Sequence, residues 1–257
     1  MDFLLIPAAD AQKILLILAR VAAIFFVAPI FDNRSLPNLF RIGFALILSV
    51  VLFPAVDAGE WEVRSPLPMV VYLVKEILVG MILGMAVDFI FGAVRLAGQI
   101  VGFQMGLGIV AIIDPFTSSQ SSVITQFYDF MAILFFFSFD AHHMVIRAMA
   151  ESFQFIPFGG LDFSGSLLSQ IIHLSGQMFL LAMKIAVPVL AVSFFVDMGL
   201  ALLARTVPQM NVFILGFPLK IGVGLLAIGL SATFFGILLR KVFFDSGGQI
   251  HGLLRAM

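Results

Sequence analysis

From Met69 to Ile113 the chain runs for about 45 residues almost without a polar interruption, roughly twice what a helix needs to cross an apolar slab of about 30 Å. A run of that length is helical rather than extended. It implies either one long bent helix or two helices joined at a glycine-rich break, with "DPFTSSQSS" as the polar stop. Shorter apolar stretches recur at Ile14–Phe31, Ile42–Val56, Phe127–Phe139, Leu167–Leu203 and Val212–Leu239. Counting Met69–Phe91 as one element, about six hydrophobic helical elements follow, and the fold class is all-α, integral membrane-type, arranged as bent hairpins. Composition agrees: 61% of the residues are hydrophobic and 11% charged, against roughly half and a quarter in soluble domains.

A net charge of −1 with no basic run removes the usual electrostatic reason to expect nucleic acid or an anionic-lipid anchor, which leaves lipid and protein as partners. The absence of cysteine excludes disulfides and thiolate metal sites. The N-terminal "MDFLLIPAADAQK" begins with an acid and shows no cleavage site, so the first apolar segment is expected to be retained.

Turn-forming residues divide the elements. "PIFDNRSLPNLFR", "FPAVDAGEWEVRSPLP", the polar region Asp140–Ser166 with "IPFGGLDFSGS", and "RTVPQMN" all read as breaks or loops. Leu167–Leu203 is too long for one straight span, and Pro188 offers a kink. The last helix is expected to end near "RKVFFDSGG", where cations suit a helix C-terminus. Charge bias gives no consistent orientation: Arg34 and Arg41 ask for the first loop inside, while Arg240, Lys241 and Arg255 ask for an inside C-terminus. Either the span number is odd or the hairpins are not inserted conventionally.

Lys75, Glu76, Asp88, Arg95, Lys184, Asp197, Arg205 and Lys220 lie within apolar elements. Each costs roughly 2.5–3.5 kcal/mol to insert into hydrocarbon, so such residues face protein or water. Paired charges fixing helix register, contacts between subunits, and an ion pathway are the three readings, in that order. Asp88 and Arg95 share a helix face and suit a pair. Gly80 with Gly84, and Gly98, Gly102 and Gly106, recur at four-residue spacing and permit close backbone approach, within the chain or between subunits.

"FQMGLGIVAIIDPFTSSQSS" joins glycines, a methionine and an apolar patch to a turn at Asp114–Pro115. It suits an ordinary loop, and equally a mobile closure that excludes water by dewetting. No HExxH, G-x-S-x-G or GxxxxGK[ST] pattern is present, so no catalytic class is suggested and no cofactor is expected. In "FSFDAHHMVIRAM", neighbours on a regular helix diverge by about 100°, so only Asp140 and His143 are expected to cooperate; His142 then points elsewhere and no metal site is expected.

The segment "ALLARTVPQMNVFILGFPLKIGVGL", Ala201 to Leu225, resembles the signature of the R component of the bacterial flagellar type III protein export gate, the FliR family. "RVAAIFFVAPIF", "RIGFALILSVVLFP", "GFQMGLGIVAIIDP" and "FSFDAHHMVIRAMAESFQFIPFG" extend the resemblance over nearly the whole chain, with the loop from Gly59 to Pro68 least diagnostic. Virulence secretion systems have a homologous component, but "FDAHHMVI" and "NVFILGFPLKIG" are more similar to the flagellar branch.

The resemblance implies a P-like portion over 1–166, a Q-like helical hairpin and tail over 167–257, and one cooperative domain. It implies one R chain joined to five P and four Q subunits in a pore-forming complex in the inner membrane, at the flagellar basal body, with a switch protein wrapped around the gate. Unfolded flagellar proteins would pass through it, and other subunits would supply the energy. A plug over about 105–122 is implied: Met105 at its start, Gly106 and Gly108 for mobility, Leu107, Ile109, Val110 and Ile112 as the seal, Asp114 and Pro115 at the turn, then Phe116. Pro208, Asn211, Gly216, Pro218 and Lys220 would seat the hairpin against the Q subunits. The competing classes are a secondary transporter, motivated by Asp88, Arg95, Lys184 and Pro188, and an intramembrane enzyme.

Overall fold

A computed structural model describes residues 7–28, 37–56, 66–108, 122–162, 165–209 and 211–257. The described residues form seven α-helices and one short 3-10 turn, with no strand among them. The helices are α1 (Ala8–Val27), α2 (Asn38–Leu52), α3 (Pro66–Gln104), α4 (Val123–Ser138), α5 (Ala141–Phe155), α6 (Gly165–Thr206) and α7 (Val212–Ala256). Four helical segments are long and apolar enough to cross a membrane: Asn38–Ala55, Pro66–Gln104, Gly165–Thr206 and Ile214–Ala256. The chain is an all-α membrane-type protein.

One alternative is settled and two expectations change. The Met69–Ile113 run is served by a single helix as far as Gln104, so the glycines at 80, 84, 92, 98 and 102 do not break it. The region after Asp140 is a helix first and a loop only from Ile156, because Ala141, Ala148, Met149, Ser152 and Phe153 make a buried stripe at helical spacing. The last helix does not stop near Lys241 but continues through Gly247 and Gly248 to Ala256. Leu239, Phe243, Ile250, Leu253 and Leu254 are buried along that continuation, and their packing outweighs the low helix propensity of the glycine pair.

Helices α3, α6 and α7 contain 39, 42 and 45 residues. At 1.5 Å per residue they are about 60–70 Å long, twice the hydrocarbon thickness. No simple perpendicular span accommodates that length. Each contributes a segment to both of the two compact units into which the chain divides.

The first unit comprises Met1–Phe89, Asp140–Ser175 and Asp245–Met257. Its core gathers Ile17, Val21 and Ile24 of α1, Val79 and Leu83 of α3, Met149 and Phe153 of α5, and Leu254 of α7. α1 lies close against α3 because Gly80 and Gly84 have no side chains. A Cβ at Gly80 would sit 2.4 Å from the Arg20 carbonyl oxygen, and one at Gly84 would sit 2.8 Å from Val27 Cβ. On α2, Ser49 Oγ donates back to the Ala45 carbonyl at 2.6 Å, which satisfies a buried hydroxyl.

The second unit comprises Ile90–Phe139 and Gly176–Phe244. Its interior is aromatic: Phe91 faces Phe136 at 5.7 Å and Phe243 at 6.2 Å, and Tyr128 meets Phe235 edge-on at 5.3 Å. Ser122 caps α4 by accepting the Ile124 N–H at 3.3 Å. Gly98 and Gly102 admit that cap, since a Cβ on either would lie 2.7 Å from Thr125 Cα or Ser122 Oγ. Gly80, Gly84, Gly98 and Gly102, four of the five glycines at four-residue spacing, therefore pack inside this chain.

Candidate functional site: the C-terminal end of α3 and the α6–α7 hairpin

In the second unit, α3 ends where the resemblance places the start of the plug. The Gly106 N–H donates to the Phe103 carbonyl and the Leu107 N–H to the Gly102 carbonyl, each at 3.0 Å. Gly106 itself has φ +84°. This pair of bonds closing over a left-handed glycine is the Schellman helix stop. A residue with a Cβ is disfavoured there twice, by the left-handed backbone and by the Phe217 ring, 2.7 Å from where the Cβ would be. Gly106 is thus the residue at which α3 terminates. Gly108 packs under the Phe103 ring.

The hairpin of α6 and α7 holds this helix end. Asp197 of α6 forms an ion pair with Lys220 of α7 and accepts the Gln104 side-chain N–H at 3.0 Å, so one carboxylate ties three helices. Met105 is fully buried and lies against Gly224, where a Cβ would come within 2.7–2.9 Å of its side chain. Beside the ion pair is a cavity of about 260 Å³, mostly apolar, lined by Leu200, Ala204, Gly216 and Phe217 among others. Asn211 accepts the Ile214 N–H at 3.4 Å and starts α7. Gly216 faces Leu200 at 3.3 Å from its would-be Cβ, bringing the two arms together.

Because the Asp197 and Lys220 side chains keep 38% and 23% of their exposure, solvent screens the pair and its worth is about 0.5–1 kcal/mol. Asp197→Asn is therefore expected to speed amide exchange at Gly106 and Leu107 by about threefold, with Lys220→Met giving a similar change and the double variant no more than either. Additive effects would show that the two residues act separately.

The remaining sequence-chosen sites are distributed. Ile109, Val110, Ile112, Asp114, Pro115 and Phe116 lie outside the described residues. Asp88 and Arg95 are half-buried, whereas Lys184, Arg205 and Asn211 are exposed among the described residues.

The deeply buried charges are a different pair, in the first unit: Arg20 of α1, missed from the sequence, and Glu76 of α3. Arg20 Nε pairs with Glu76 Oε2, Nη1 donates to Ser152 Oγ at 3.1 Å and Nη2 to the Ile156 carbonyl at 3.0 Å. Its guanidinium also covers the Phe153 ring, 4.1 Å from the centroid. The loop after α5 is held as well. The Gly159 N–H donates to Glu76 Oε1 at 3.1 Å, and its carbonyl accepts from Lys75 Nζ at 2.8 Å. Tyr72, Lys75 and Glu76 share one helix face and grip the loop together. The available signal for Arg20 was a lone cation inside "LILARVAAIFF".

Asp140, His142 and His143 belong to the first unit. Asp140 adopts φ 55°, ψ 24°, the left-handed region, as the residue preceding α5. It is therefore off the regular helix, so the angular argument does not fix its direction relative to His142, while His142 and His143 are successive residues of α5. One ligand atom from each of the three lies within 4.8 Å of the others, the only such grouping among the described residues. His143 Nδ1 is 3.6 Å from Asp140 Oδ1, and the imidazole rings are 4.1 Å apart.

Comparison with known proteins identifies the family. Residues 11–246 match the family described as bacterial export proteins, family 1. The chain is similar to the flagellar biosynthetic protein FliR of Bacillus subtilis strain 168, 37% identical over 237 residues and 89% of each chain. It is similar to FliR of Escherichia coli K12, 32% identical over 208 residues, covering 81% of this chain and 79% of that one. FliR of Aquifex aeolicus VF5 is 28% identical over 226 residues, 88% and 87% of the two chains. Matched along most of its length by that family and by these proteins, the chain belongs to the FliR family of bacterial export proteins.

Proposed function

We propose that this chain is a non-enzymatic core component of the flagellar protein export gate in the bacterial inner membrane, and that with P-type and Q-type subunits it lines the pore for unfolded flagellar proteins. The observation that carries the reading is the anchored end of α3. A long apolar helix is stopped at Gly106 and clamped by Asp197, Lys220, Phe217 and Gly224 immediately before the stretch the family uses as a plug. A closure needs such a rigid base, because a flexible segment seals reproducibly only if its starting point does not move. The flagellar branch is favoured over the virulence branch because the curated relatives named above are all flagellar biosynthetic proteins.

Exposed apolar side chains support burial against lipid and unlike subunits. Phe195 and Leu202 on α6, and Leu226 and Leu230 on α7, are between 63% and 86% exposed on this chain alone. Patches of that kind mark partner or membrane surfaces.

The test leaves Gly106 in place as the helix stop. Deleting Gly108 to Ile112 should give an assembled complex whose membrane leaks ions or small solutes without export substrate. An assembled complex that stays tight would count against the plug.

A further inference from the structure

We propose that Asp140, His142 and His143 form a binding site for one divalent transition ion of the zinc type, at the entrance to α5. The left-handed Asp140 turns its carboxylate back over the first turn of the helix, and the His143 N–H to Asp140 carbonyl bond at 3.0 Å fixes that turn. Ligands about 2.1 Å from a tetrahedral zinc stand about 3.4 Å apart. The Asp140–His143 separation of 3.6 Å is already close to that edge, and the remaining separation, within 4.8 Å across the group, is left to rotation of Asp140 and His143 towards the half-buried His142. Rotation is available because the Asp140 and His143 side chains are 76% and 70% exposed, which also opens the site to the ion.

The donor set selects the class of ion. Two imidazole nitrogens and one carboxylate oxygen suit zinc, cobalt, nickel or copper, whereas magnesium and calcium require oxygen shells. Three protein ligands leave a fourth position for water or for a side chain from another subunit. The ion would tie Asp140 to His143 and so stiffen the first turn of α5. This inference stands apart from the pore reading, since it rests only on the geometry of the three residues.

The test uses the full chain, stripped of metal, in detergent or in its native complex, titrated with Zn²⁺ by calorimetry and with Co²⁺ by visible absorption. One equivalent should bind saturably, and the Co²⁺ complex should show the intense bands of a low-coordinate nitrogen–oxygen site. Asp140→Asn, which keeps the shape and tolerates the left-handed backbone, and His143→Ala, at an exposed position, should each weaken binding at least about tenfold. His251→Ala should leave it unchanged, because His251 is engaged elsewhere with Glu151 at 3.0 Å. No saturable binding, a Co²⁺ spectrum like that of the hydrated ion, or affinity unchanged from the unsubstituted chain in Asp140→Asn and His143→Ala would each overturn the site.

Discussion

Arg20→Met is expected to destabilise the protein by about 3–5 kcal/mol, because it leaves Glu76 as an uncompensated carboxylate in a packed interior. Both side chains have essentially no exposure, so water cannot replace the lost partner. The Ser152 hydroxyl and the Ile156 carbonyl lose Arg20 as a donor at the same time. Glu76→Leu is expected to be as damaging, since it strands the cation and frees the Gly159 N–H. The double variant Arg20→Met with Glu76→Leu should recover most of the loss, because well-packed apolar replacements of a buried pair are often neutral. Thermal unfolding of the purified chain in detergent, together with its steady-state level in membranes, reads both effects. Single variants that lose less than about 1 kcal/mol would mean that the pair is not the keystone of the first unit.

Gly159→Ala is expected to cost about 2–5 kcal/mol for a separate reason. Gly159 has φ +72°, and a Cβ there would lie 1.9 Å from the Tyr72 ring. The loop cannot keep its backbone and admit a methyl group, so the Lys75 and Glu76 bonds must break or Tyr72 must leave its place. Tyr72→Ala in the same chain removes the steric part and should restore a portion of the stability, leaving the left-handed backbone cost of about 1–2 kcal/mol. Proteolysis within 156–160 should accelerate in Gly159→Ala and slow again in the double variant. Unchanged cleavage and melting in Gly159→Ala would show that the loop is not held in this way.

The fold class was legible in the sequence because long apolar runs determine helix on their own. The interruptions were harder to judge. A glycine in the middle of α3 and the pair at 247–248 look like breaks, yet packing on both sides of them outweighs about 1 kcal/mol of propensity per residue. α5 was hidden because "AHHMVIRAMAESFQF" is the least apolar of the helices, so its one-sided stripe, rather than a continuous run, carries the signal.

The site was legible to the same degree. The glycine spacing pointed to close packing, and "NVFILGFPLKIG" pointed to the hairpin. What could not be read was which charges meet. Arg20 and Glu76 are 56 positions apart, and Asp197 reaches Gln104 across 93. Local patterns do not encode such pairs. In the histidine cluster the Asp140–His143 pair was legible from spacing, whereas the left-handed backbone of Asp140 itself, which takes it off the regular helix, was not.

The length of α3, α6 and α7 and the apolar faces they leave exposed fit a chain completed by unlike neighbours better than a chain that works alone. Mass measurement of the intact complex purified through this chain tests that most directly. The expected result is one copy of this chain with several copies of at least two different small membrane proteins, in a fixed ratio close to five P and four Q. A homo-oligomer, or a lone chain active in a purified state, would contradict it.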